Sequence, residues 1–132
     1  MANILEEIKQ NFKDGSYLTR LIYINAGVFL VVKLLSVILG ATGYSNIWIS
    51  YLELPAFLQT LIRQPWSIIT YMFMHHDFIH LIFNLLTLYW FGKIFVDYFN
   101  QKQLVGLYFL GGIGGAIFYL AAFNITNTLN AN

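Results

Sequence analysis

With 132 residues, 58% of them hydrophobic and 10% charged, and a mean hydropathy of +0.64, the chain has less than half the charged share of about 25% typical of soluble domains. It reads as a membrane protein. A net charge of +1 provides no footprint for nucleic acid, and the lack of cysteine excludes disulfides and thiolate chemistry.

Residues 1–20 carry Glu6, Glu7, Lys9, Lys13, Asp14 and Arg20, with Ile4, Leu5, Ile8 and Phe12 at helical spacing. Those charges rule out a secretory signal. They predict a short amphipathic helix on the cytoplasmic surface of the membrane, with a solvated tail as the alternative. Residues 21–40 predict a first span, long enough to cross about 30 Å of hydrocarbon and interrupted only by Asn25 and Lys33. Lys33 is read as snorkelling to the far interface. Gly40-Ala-Thr-Gly43 ends that helix.

Residues 44–74 are apolar but broken by Glu53, Pro55, Gln59, Arg63, Gln64 and Pro65, and they carry Trp48 and Trp66. This pattern predicts a structured loop in the interface, with a helical turn near 57–62. Residues 79–97 predict a second span, its far end marked by Tyr89, Trp90 and Phe91. After the polar turn Asn100-Gln-Lys102, residues 104–123 predict a third, uncharged span. Within it, Gly111-x-x-x-Gly115 is a small-residue face suited to close helix packing. Residues 125–132 are a polar tail. Lys9, Lys13 and Arg20 precede the first span and Lys93 and Lys102 flank the second turn, against only Arg63 in the long loop. The positive-inside rule then places the N-terminus in the cytoplasm and the C-terminus outside. The expected architecture is all-α and polytopic, with three transmembrane helices and an interfacial loop; a bacterial inner membrane is the expected location.

All three histidines lie in His75-His-Asp-Phe-Ile-His80-Leu-Ile-Phe-Asn84, at the entrance of the second span. Polar groups in hydrocarbon are costly, so a cluster there is by default a functional-site hypothesis. On a helix, His76, His80 and Asn84 stand at i, i+4 and i+8 and share one face. Asp77 points elsewhere on such a helix.

Arg63-Gln-Pro-Trp66-Ser-Ile-Ile-Thr70-Tyr-Met-Phe-Met-His75, with His80 and Asn84 following, resembles the rhomboid intramembrane serine proteases. Phe91-Gly92, Leu107-Tyr108 and the glycine-rich Gly111–Gly115 are similar to that family as well. The resemblance covers residues 18–124, the first half of such a fold, and implies that 44–74 is its membrane-embedded first loop. It further implies that His80 and Asn84 help to stabilise an oxyanion and that His75 lies near the same site. No metal or organic cofactor is implied. The implied partners are transmembrane protein substrates, cut within or beside a membrane helix, and the lipid bilayer. Two departures stand out. Ser67 occupies a position where the family often has Arg. None of Ser16, Ser36, Ser45, Ser50 and Ser67 stands in the family's Gly-x-Ser-Gly motif and no histidine follows His80, so nucleophile and general base are both missing from these residues.

Other readings compete. The histidines can be satisfied at the interface by water or carbonyls, without chemistry. His76 and His80 at i, i+4 can reach one metal ion, although no third strong ligand is evident. The chain can also be an inactive rhomboid-like scaffold that binds transmembrane segments through its glycine face. Ser67 paired with a histidine is discounted as a nucleophile, since nothing in the sequence orients either. The expectation carried forward is the oxyanion-side portion of a rhomboid-like protease, inactive by itself.

Overall fold

The computed structural model describes residues 2–44 and 46–131; Met1, Ser45 and Asn132 lie outside the described residues. It is all-helical, with no strand among the described residues. Seven α-helices follow in order: α1 (Ala2–Asp14), α2 (Tyr17–Ala41), α3 (Ile47–Ser50), α4 (Leu58–Arg63), α5 (Ser67–Thr70), α6 (Phe78–Tyr98) and α7 (Gln101–Asn130), with a 3₁₀ turn at Tyr71–Phe73 after α5. Helices α2, α6 and α7 are long and apolar enough to cross a membrane. They contain the uncharged or nearly uncharged runs 21–40, 79–97 and 104–123, and α4 overlaps the predicted turn at 57–62, shifted by one residue.

Two compact units divide the described chain. The first takes the residues up to Leu30 together with His75–Tyr108. Its helix ends are built from local polar chemistry. Ser16 Oγ accepts from the Thr19 N–H at 3.2 Å, and the Tyr17 N–H, otherwise orphaned at the start of α2, donates to Gln101 Oε1. Asn100 and Gln103 cap α7 reciprocally: Asn100 Oδ1 accepts from Gln103 N at 2.8 Å and Gln103 Oε1 from Asn100 N at 3.0 Å. Leu18, Leu21, Phe29, Leu81 and Leu104 are buried. Gly92 makes this packing possible, because a Cβ there would stand 2.6 Å from Leu18 Cδ1. Asn25, only 2% exposed, is satisfied inside the unit: its Nδ2 donates to the Leu21 carbonyl at 2.8 Å and to Tyr108 Oη at 3.0 Å, and its Oδ1 lies 3.2 Å from the same hydroxyl. A polar residue in an apolar span is thus a fastener between helices.

The second unit takes Val31–Met74 and the residues from Phe109 on. Here α2 ends as the Gly40–Gly43 signal requires. Gly43 turns the chain at φ +84°, a left-handed conformation that side chains rarely adopt, and the Tyr44 N–H closes on the Leu39 carbonyl at 3.0 Å. The loop 46–74 is held by polar side chains bonded to backbone carbonyls. Gln64, 6% exposed, donates to Ser50 O at 3.1 Å and to Glu53 O at 3.3 Å. Trp66 Nε1 donates to Tyr51 O at 2.8 Å, and Thr70 Oγ1 to Leu52 O at 2.7 Å. Asn124 of α7 reaches Ala56 O at 3.1 Å, and the Tyr71 hydroxyl donates to Gly112 O. Burial raises the Tyr71 pKa above its ordinary value, more than the backbone at Ala116 lowers it, so the phenol stays a donor.

The loop also uses α7's glycines. Met72 packs where Gly112 leaves room, its Cε 2.2 Å from the position of a Cβ, and Tyr71 Oη stands 3.4 Å from such a position at Gly115. A Cβ at Gly111 would meet no other described side chain or segment within 4 Å. Of the Gly111 and Gly115 pair expected for helix packing, Gly115 meets a loop residue, and the closest approach falls on Gly112 instead.

Candidate functional site

The site forms at the start of α6, inside the first unit. Asp77 adopts an extended conformation and its Oδ1 accepts from the His80 N–H at 2.7 Å, the N-cap arrangement. This cap starts the helix at Phe78. His76 and Asp77 therefore precede the helix, and the expected His76, His80, Asn84 stripe is corrected: His80 and Asn84 share a helical face, and His76 does not belong to it. The same cap corrects the expected place of Asp77, which is spent on the backbone rather than projecting from the helix wall.

His75 takes the place that spacing gave to His76. It is 7% exposed, and its Nε2 lies 2.7 Å from Asn84 Nδ2. An amide nitrogen only donates, so in this contact the ring nitrogen is the acceptor. The His75 and His80 rings meet edge to face, with centroids 5.4 Å apart at 70°. The structure thus brings together all three residues that the resemblance singled out, His75, His80 and Asn84. Of these, His80 and Asn84 belong to exposed positions of α6.

An apolar groove of about 560 Å³ adjoins the cluster. Asn84 lines it, with Leu88, Phe95, Tyr98, Leu104 and Tyr108. Among the described residues, no three of His, Cys, Asp and Glu gather in a way that would hold a metal ion. The hydroxyl of Ser67, whose residue is fully buried, donates to the Gln64 carbonyl at 2.7 Å, and so serves the loop.

Sequence reasoning missed two contributors. Tyr108 was noted only for resemblance and turns out to be the partner of Asn25. Gly92, likewise quoted only for resemblance, is a close-packing position. A glycine in the middle of an apolar run was the available signal for the second.

Comparison with known proteins bears on this geometry. Residues 62–127 match the family described as Rhomboid domain, and the match takes in the loop's end, all of α6 and most of α7. The chain is 31% identical over 111 residues to the RHOMBOID-like protein 12, mitochondrial, of Arabidopsis thaliana, covering 84% of this chain and 30% of that protein. It is 28% identical over 102 residues to the Rhomboid-like protein 16, chloroplastic, of the same plant, covering 77% of this chain and again 30% of the relative. The chain therefore spans about 30% of the length of these relatives. Both names carry an organelle address, and neither speaks for the bacterial inner membrane expected from the sequence. No solved structure matches it significantly. Half the chain, including the whole candidate site on α6, lies within that family match: the protein belongs to the rhomboid family.

Proposed function

We propose that this chain is the oxyanion-side portion of a rhomboid-like intramembrane serine endopeptidase that cuts transmembrane protein substrates. The observation that carries the reading is the 2.7 Å contact between His75 Nε2 and Asn84 Nδ2. A carboxamide has two N–H donors. His75 engages one and so orients the group, which leaves the second, beside the exposed His80 ring, to meet the oxygen of a tetrahedral intermediate. Donors held rigid in a low-dielectric site stabilise the charge that develops in the transition state without having to reorganise. In this scheme His80 and Asn84 are oxyanion donors and His75 is a positioning residue.

The attack itself requires a serine and a base that these 132 residues do not contain: there is no Gly-x-Ser-Gly and no histidine after His80. The same observation favours a second reading, a rhomboid-like scaffold without proteolytic activity. Reading the coding DNA past Asn132 separates them. An in-frame Gly-x-Ser-Gly segment followed by a histidine-bearing helix is the expected result, and a stop codon at that point favours the scaffold. The 132-residue chain alone, purified in detergent, is expected not to react with a fluorophosphonate probe. Labelling abolished by changing a single serine would refute the assignment of the nucleophile to residues outside this chain.

The Lys and Arg distribution supports an N-terminus inside and the loop 46–74 outside. Single cysteines at Asn11, Ser50 and Asn127, probed with an impermeant thiol reagent in intact cells, should react at 50 and 127 and stay silent at 11. Reaction at position 11 alone would reverse the orientation.

A further inference from the structure

We infer that α1 docks flat in the headgroup–acyl boundary of the bilayer crossed by α2, with its angle to α2 set by Gly15 and Arg20. The proposal is independent of the protease reading. At about 100° per residue, Ile4, Ile8, Phe12 and Leu5 fall within one arc of α1. Lys9 borders that arc on one side and Asn11 on the other, while Glu6, Glu7, Gln10, Lys13 and Asp14 occupy the remaining face. The apolar arc is uncovered: Ile4 is 56% exposed, Leu5 69%, Ile8 45% and Phe12 40%. A helix of 13 residues is marginal in water without a surface to bury such a face.

The junction decides which surface that is. Only Gly15 and Ser16 separate the end of α1 from Tyr17, the first residue of a helix apolar enough to span the membrane. Two residues reach at most about 7 Å, so the last turn of α1 is tied to the level at which α2 enters hydrocarbon. The connection is also closely packed. A Cβ at Gly15 would stand 2.3 Å from the Asn11 carbonyl oxygen and 3.0 Å from Thr19 Cγ2; the first is backbone and cannot swing away. Arg20 Nε donates to Phe12 O at 3.0 Å and Nη2 to Lys13 O at 2.8 Å, satisfying two carbonyls that α1 leaves open at its C-terminal end. Its guanidinium carbon lies 5.8 Å from the Phe12 ring centroid and 5.4 Å from that of Tyr17, so one planar cation joins the last turn of α1 to the first of α2.

Charge identifies the kind of lipid surface. Across α1 and the clamp, Glu6, Glu7 and Asp14 are balanced by Lys9, Lys13 and Arg20. The attraction is therefore apolar, and anionic headgroups are not required. Lys9, at the edge of the apolar arc, is placed to lay its stem on that surface and keep its ammonium in water.

These 132 residues have no cysteine, so single spin labels at positions 4 to 13 of this chain in phosphatidylcholine vesicles give a direct test. Collision with oxygen relative to a water-soluble nickel complex should peak at 4, 5, 8 and 12 and fall at 6, 7, 10 and 13, a period of about 3.6 residues. Adding phosphatidylglycerol should leave this pattern unchanged. Arg20→Gln should abolish the period, and Arg20→Lys should fail to restore it, because an ammonium lacks the planar fork. A label at Phe83 on α6 verifies that the spans stay inserted in each variant. Equal nickel access at every position would overturn the proposal in favour of a solvated tail. Shielding of 4 and 8 from both reagents would overturn it in favour of a protein partner, and a pattern that appears only with phosphatidylglycerol would overturn apolar docking. A period that survives Arg20→Gln would overturn the clamp.

Discussion

The loop 46–74 and the entrance of α6 are both rich in polar side chains within an apolar chain, yet they spend them differently. In the loop, Gln64, Trp66, Ser67, Thr70 and Tyr71 each donate to a backbone carbonyl. Such bonds replace the regular helix ladder where the backbone is irregular and would otherwise be left unpaired in an apolar setting. At the α6 entrance, Asp77 serves the backbone. His75 and Asn84 bond side chain to side chain, and His80, at an exposed position, meets the His75 ring edge to face. A polar group spent on the backbone builds the fold; one oriented by another side chain and left at a surface is available for chemistry.

That contrast is broken most directly at Asn84. In a form of the protein that carries the Gly-x-Ser-Gly segment, Asn84→Ala should lower kcat by about 10²–10³ with little change in KM, the usual cost of one oxyanion donor. His80→Ala should act similarly, and chelators should have no effect. Loss of activity to a chelator together with an indifferent Asn84 would turn the entrance into a metal site and erase the distinction drawn here.

The opposite behaviour is expected at Gln64. Gln64→Ala removes a buried donor shared by two carbonyls and should cost about 1–3 kcal/mol of stability, read as a lower urea midpoint in mixed micelles. Asn84→Ala takes one donor from the His75 ring and should move the same midpoint less, by about 1 kcal/mol at most. Equal destabilisation by the two variants would mean that Asn84 is a structural residue like those of the loop.

His75 sharpens the comparison, since it is buried like a structural residue but bonded to the proposed oxyanion donor. His75→Ala should lower kcat about tenfold, roughly 1.4 kcal/mol of transition-state stabilisation, and His75→Gln, which retains an acceptor for Asn84, should recover most of it. A purely structural His75 would instead lower stability in both variants and leave kcat per folded molecule unchanged.

The smallest effect is expected within the spans. Asn25→Leu should cost about 0.6–1.7 kcal/mol, the range for a polar pair between membrane helices. Combined with Tyr108→Phe, the loss should be less than additive, because the two changes remove the same pair. Full additivity would show that Asn25 is held by the Leu21 carbonyl and not by Tyr108.

The three long helices were legible from the sequence because apolar runs of about twenty residues have few alternatives in a lipid environment. The end of α2 was legible too, from Gly43, since only glycine takes φ +84° without strain. His80 and Asn84 shared a face by spacing alone, as residues four apart on one helix must. What spacing misjudged was where that helix begins. A helical period extended backward enrols His76, whereas the Asp77 cap stops the helix one residue later. His75 then reaches Asn84 through the path of the non-helical backbone before the cap, which no periodicity encodes. The partner of Asn25, the close approaches at Gly92 and Gly112, and the Arg20 clamp on the end of α1 share that character. Each is a contact between segments whose separation along the chain says nothing about their distance in space. Composition and period settle which stretches become membrane helices, because the solvent imposes that choice on every residue alike. Which side chains meet is decided by how those helices and the loop pack, and only the tertiary structure contains that information.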